Sequence, residues 1–142
     1  MICKSFENSV QNRNRYKNIN IIHVIKILKK LYFCIMKDLE KEWNALILKL
    51  EKQFEDEMSL KGILYLIGVQ ELNFGVKRYD RDEKINVLHV AICKLLSNYG
   101  YYKFDSIDKD GWPHYKEIKA IESLSEVEQQ NLIKKAIINY LN

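Results

Sequence analysis

The amino-acid sequence predicts a small, mainly helical α+β protein whose elements run helix, helix, helix, β-hairpin, helix. Three observations carry that expectation. Apolar residues recur at three- and four-residue steps over four stretches of the chain, as the inner stripe of an amphipathic helix does. Capping signals stand at Ser59, Asp80 and Ser125, each just ahead of such a stretch. After Gly100 the period changes, and two aromatic, β-branched runs flank the acidic turn Asp108-Lys-Asp-Gly111. All of these signals fall within residues 36–142, which read as one compact domain, while residues 1–35 read as a separate leader.

The first helix is expected from Lys37 to about Glu57, with Leu39, Trp43, Leu46, Ile47, Leu50 and Phe54 on one face and charges between them. Ser59 caps the second, whose centre (Ile63-Leu-Tyr-Leu-Ile67) is apolar almost all round and predicts the most buried element. Gly62 and Gly68 lie inside it at a cost of roughly 1 kcal/mol each relative to alanine, a cost that close helix–helix approach would explain. Asp80 and Glu83 form a capping-box start for the third helix, with Ile85, Leu88, Ile92, Leu95, Leu96 and Tyr99 as the expected inner face and Gly100 as the stop. The runs 101–107 and 112–118 are the hairpin strands. A two-stranded sheet is marginal in water, so the hairpin must pack on the helices. Ser125 and Glu128 open the last helix, with Leu132, Ile133, Ala136, Ile137, Tyr140 and Leu141 as its stripe.

The formal charge of +4 is not spread evenly. Residues 1–35 hold seven Lys and Arg against the single acid Glu7, a net of +6, which leaves the remainder with 16 basic and 18 acidic residues, a net of −2. The leader also holds seven Ile and five Asn but no Ala, Gly, Pro, Asp or Trp. Its stretch 19–35 is broken by His23, Lys26, Lys29 and Lys30, which fits neither a secretory signal nor a membrane-spanning helix. Two readings of it remain. His23, Lys26 and Lys30 line one stripe, as in a membrane-surface helix. Alternatively, the Ile, Asn, Lys, Tyr and Phe usage is what A+T-rich DNA encodes, and Met36 opens a well-formed domain. An upstream start-site extension or dispensable tail is the preferred reading.

Several motifs are weighed against blander accounts. Ser106, Asp108, Asp110, Gly111 and Glu117 match most of an EF-hand calcium loop, but position 1 is Ser, Pro113 interrupts the loop, and the flank is strand-like. A plain hairpin turn with Gly111 at positive φ accounts for the same residues. His89 and Cys93 share a helix face, and His114 is a third candidate ligand if the hairpin folds over that helix. The favoured account is a core-edge histidine beside a buried thiol. The metal candidates are therefore His89, Cys93, His114, Asp108, Asp110 and Glu117, and no cofactor is expected. No nucleophile elbow or glycine-rich phosphate loop is present, with the five glycines dispersed at 62, 68, 75, 100 and 111. Three cysteines at unrelated spacings imply no disulfide framework and fit a reducing cytoplasm.

Six aromatics lie between Tyr99 and Tyr115. The segment 99–118 carries a net charge of −1, and phosphate neutralisation dominates nucleic-acid affinity, so a nucleic-acid partner is not expected. The cluster Lys77, Arg78, Arg81 and Lys84 is interrupted by Asp80, Asp82 and Glu83 and reads as a solvated loop and helix start. Tyr101, Tyr102, Phe104, Trp112 and Tyr115 are the expected interaction residues, alongside their use in covering the core.

Ile63-Leu-Tyr-Leu-Ile-Gly-Val-Gln-Glu-Leu72, His89-Val-Ala-Ile-Cys93, Gly100-Tyr-Tyr and Asp110-Gly-Trp-Pro-His114 resemble a small conserved hypothetical family of Bacteroidetes bacteria. The resemblance covers residues 36–142 and omits the leader. It implies a cytosolic bacterial protein and carries over no catalytic or binding residue. The function expected is that of a non-catalytic protein acting through protein contacts or self-association at the hairpin. The alternatives are a metal-dependent enzyme or regulator at His89, Cys93, His114 and the acidic turn, or membrane-surface association through residues 19–35.

Overall fold

A computed structural model describes residues 21–142, Val76 excepted. The segment 1–20, which contains Cys3 and the first two residues of the stretch 19–35, lies outside the described residues. The elements are α1 (Ile21–Phe54), α2 (Leu60–Leu72), α3 (Arg81–Ser97), β1 (Tyr102–Ile107), β2 (Pro113–Glu117), a short 3-10 turn (Ile121–Ser123) and α4 (Glu126–Leu141). This is the expected α+β order of three helices, a hairpin and a helix. The chain divides into two compact units, Met1–Asp38 and Leu39–Asn142.

In the first unit the described residues are helical throughout. Helix α1 is thus already formed at Ile21, the first described residue and well before the expected Lys37. No Pro, Gly or capping side chain stands between residues 21 and 37 to stop it, and Ile, Leu and Lys all accept helical geometry. All fifteen residues from Ile21 to Ile35 are exposed, and the Lys37 ammonium sits 5.6 Å from the Phe33 ring.

In the second unit the caps form where the sequence places them. The Ser59 hydroxyl accepts the Gly62 N–H, and Asp80–Glu83 and Ser125–Glu128 make complete, reciprocal capping boxes. Helix α1 ends at Phe54, followed by Glu55 at φ 56°. Of its expected inner face Leu39, Trp43 and Leu46 are buried, Ile47 and Leu50 are half-buried, and Phe54, at the helix end, is exposed. The core is filled by Ile63 and Ile67 of α2, by Val87, Ala91, Cys93, Leu95 and Leu96 of α3, and by Ile137 of α4. Helices α2 and α3 meet at Gly68, where a Cβ would stand 2.2 Å from the carbonyl oxygen of Val87. Gly62 has no such reason, because the nearest heavy atom to its would-be Cβ is the Ser59 hydroxyl of its own cap, at 3.3 Å.

The inner face of α3 differs from the expected one. Val87, Val90, Ala91, Cys93, Leu95 and Leu96 are buried, whereas Ile85 is 59% exposed and Leu88, Ile92 and Tyr99 are half-buried. Helix α3 is packed by α2, by α4 and by both hairpin strands, so its buried arc is wide. Periodicity finds a single stripe, and the true arc is rotated from it by roughly one residue, or about 100°. The Glu71 carboxylate ties three helices together, accepting the Tyr140 hydroxyl of α4 and pairing with Lys94 of α3 at 3.0 Å. Burial, with the Glu71 contact adding to it, pushes the Tyr140 phenol up to about 12.

Leu72, Tyr79, Val87 and Val90 form a second cluster under the hairpin turn, covered by Phe74 and Trp112. The Tyr79 hydroxyl is buried there without a hydrogen-bond partner among the described residues. An unpaired buried hydroxyl costs about 1–3 kcal/mol. Tyr79→Phe should therefore be neutral or stabilise by about 1 kcal/mol in urea unfolding, and a clear loss of stability would show that the hydroxyl has a partner.

Candidate functional site at the hairpin turn

The two strands pair antiparallel with Tyr102 opposite Glu117, Phe104 opposite Tyr115 and Ile107 opposite Pro113, and a bulge falls between Phe104 and Ser106. Asp108 builds the turn. One of its carboxylate oxygens accepts the N–H groups of Asp110 at 3.0 Å and Trp112 at 2.8 Å. Gly111 takes the positive φ of 87° expected for it, and a Cβ there would also strike the Phe74 ring at 2.9 Å. The second oxygen of Asp108 meets Nε2 of His114 at 2.9 Å across the hairpin mouth. The His114 bond, and then the Trp112 N–H, hold the Asp108 carboxyl below its ordinary range. Any stabilisation from this pairing is therefore present above the ordinary carboxylate range and is lost as pH falls through the lowered value.

The hairpin lies over α3, so His89 and His114 line one small cavity of about 240 Å³ together with Asp108 and Trp112. His89 is exposed and its Nε2 lies 3.4 Å from the sulfur of Cys93, which is buried. This is the core-edge histidine beside a buried thiol. Burial, with the negative charge of Glu117 adding to it, pushes the Cys93 thiol up to about 11. A thiol so protonated is a poor nucleophile and a poor metal ligand near neutrality. The Asp108–His114 pair has the form of an oriented base, yet both side chains are open to water and Asp108 is already engaged by two backbone donors.

The calcium-loop arrangement is not assembled. Asp108 and Asp110 sit in the turn, while Glu117 lies at the far end of β2, four residues or about 13 Å of strand beyond Pro113. Among the described residues no group of three His, Cys, Asp or Glu side chains is placed to hold a metal ion.

The hairpin aromatics divide into two sets. Tyr101 is buried, its carbonyl accepting the N–H groups of Ile118 and Lys119, and Trp112 packs edge-on against Phe74 and Tyr79 at 5.7 and 6.4 Å. Those two hold the hairpin to the core. Tyr102 and Tyr115 are half-buried, with Tyr102 edge-on to His89 at 6.4 Å. Phe104 is 51% exposed and its ring is braced by Tyr115 at 5.8 Å. Phe74 and Tyr79, which anchor Trp112, and the Asp108–His114 bond were not anticipated from sequence. The register signal for that bond was present, since residues 108 and 114 flank a short turn.

Alkylation at pH 8 is expected to label the exposed Cys34 and leave Cys93 unmodified until the protein unfolds, as peptide mass spectrometry would read. Because the folded state holds the Cys93 proton more tightly than the ordinary value of 9.0, stability should decline as pH rises from about 9 towards about 11. Rapid labelling of native Cys93 would contradict both statements.

The fold and site define a small α+β protein with a hairpin clamped on its third helix. Compared with protein-family models, with curated proteins and with solved structures, the chain matches none.

Proposed function

We propose that this is a non-catalytic cytoplasmic protein that associates with a second copy of itself through the exposed apolar side chains of the hairpin. The observation that carries the reading is Phe104, which keeps half its surface in water while Tyr115 holds its ring in place. Ile107 at the turn end of the hairpin and Ile118 at its open end are 63% and 60% exposed. Each strand of the two-stranded sheet also has one edge without a strand partner among the described residues, and open edges favour pairing between copies. Tyr101 and Trp112, engaged in the core, are not part of this surface. Sedimentation of Phe104→Ser should show weaker self-association than the unsubstituted chain at equal concentration, with helical content unchanged.

One observation favours a second reading, association with an anionic membrane surface. Among the described residues no helix is long and apolar enough to cross a membrane. The first half of α1 nevertheless exposes Ile21, Ile25, Leu28, Leu31 and Ile35 while carrying Lys26, Lys29, Lys30 and Lys37 without an acid before Asp38. At 100° per residue these lysines and His23 share about a third of the circumference. Replacing Lys26, Lys29 and Lys30 with Gln should abolish co-flotation with phosphatidylserine vesicles. No co-flotation of the unsubstituted chain would remove the reading.

A further inference from the structure

A further cavity of the second unit is distinct from the one at the hairpin turn. It lies along α2 and α3, has a volume of about 650 Å³, and is lined by Lys61 and Tyr65 of α2 and by Arg81, Lys84, Ile85 and Leu88 of α3. The four α3 residues are spaced i, i+3, i+4, i+7 and therefore form one stripe of the helix. Asp82 and Glu83 fall off that stripe, and Glu83 is engaged by Lys77 at 2.7 Å and by the capping box. Lys61, Arg81 and Lys84 form no ion pair among the described residues. Among the described residues no acidic side chain lines the groove.

Two unmet demands thus coincide. Three cations line a concave surface without an ion-pair partner among the described residues, which favours an anion there. The floor is apolar, and Ile85 stands 59% exposed in it. Tyr65 is held edge-on to Tyr79 at 6.2 Å, so its ring is a fixed wall beside the aliphatic side chains of Ile85 and Leu88. The volume lies within the range of about 300–1,000 Å³ usual for small-molecule sites.

We propose that this groove binds a small amphipathic anion, a single aliphatic chain with a carboxylate or phosphate head. The chain lies on Ile85, Leu88 and Tyr65, and the head is taken by Arg81 with Lys84 and Lys61, the guanidinium offering paired donors to two oxygens. The site is separate from the hairpin surface and does not depend on self-association.

Calorimetric titration of the full chain, below each amphiphile's micelle concentration, tests it with dodecanoate, dodecyl phosphate and dodecan-1-ol. Saturable one-to-one binding of at least one anion is expected, with the alcohol weaker by at least about tenfold. The double substitution Arg81→Gln, Lys84→Gln, which leaves the capping box intact, should weaken anion binding by about tenfold or more, and Ile85→Ser should weaken it independently. The preferred head group identifies the source as a fatty acid or a phosphate monoester. Absence of saturable binding, equal binding of the alcohol, or binding unchanged in the double variant and in Lys61→Gln would each overturn the proposal. The last result would place the amphiphile elsewhere, as on the first half of α1.

Discussion

Gly68→Ala should destabilise the protein by about 3 kcal/mol, whereas Gly62→Ala in the same helix should be neutral or stabilise by up to about 1 kcal/mol. Intrinsic propensity gives both substitutions the same favourable sign, because alanine loses less backbone entropy than glycine in a helix interior. Surroundings reverse the sign at Gly68. Its added methyl would stand 2.2 Å from the Val87 carbonyl oxygen and 2.7 Å from a Val87 side-chain carbon, and a backbone oxygen cannot rotate aside. Helices α2 and α3 would have to separate, opening contacts around Ile63, Ile67 and Ala91. At Gly62 the nearest atom is a serine hydroxyl at 3.3 Å, which needs to give only slightly. Urea unfolding of the two variants tests the α2–α3 approach directly, and equal effects at both positions would contradict it.

Leu96→Ala is expected to cost about 2–5 kcal/mol. Leu96 is fully buried, and its carbonyl accepts the N–H groups of both Tyr99 and Tyr101, so it seats the junction from which the hairpin departs. Hydrogen exchange at the Ile118 and Lys119 amides, which bond the Tyr101 carbonyl, should accelerate with the loss of stability. Ile85→Ala, at a position that periodicity places on the same inner face, should change stability by no more than about 0.5 kcal/mol. Comparable losses at the two positions would restore the stripe read from sequence in place of the wider arc around Val87 and Ala91.

What was legible in the sequence is what local chemistry decides. Ser59, Asp80 and Ser125 cap helices because a side-chain oxygen two or three residues away meets an unpaired N–H, and that relation needs no tertiary contact. The turn at Asp108–Gly111 was legible for the same reason. The start of α1 was not, because nothing between residues 21 and 37 marks a boundary and a change of composition was read as one. The face of α3 was misread because its burial is set by three sets of neighbours. At the site, the pairing of His89 with Cys93 follows from a four-residue helical step and was legible, whereas His114 reaches the same cavity only through the hairpin's packing on α3. The burial of Trp112 likewise depends on Phe74 and Tyr79, whose contacts with the hairpin arise only in three dimensions.

The most direct test of association through the hairpin is sedimentation velocity across a concentration series on the unsubstituted chain, Phe104→Ser and the double variant Ile107→Ser, Ile118→Ser. The expected result is a concentration-dependent dimer that both variants weaken, with circular dichroism unchanged. A chain that stays monomeric throughout, or a dimer indifferent to all three residues, would contradict it.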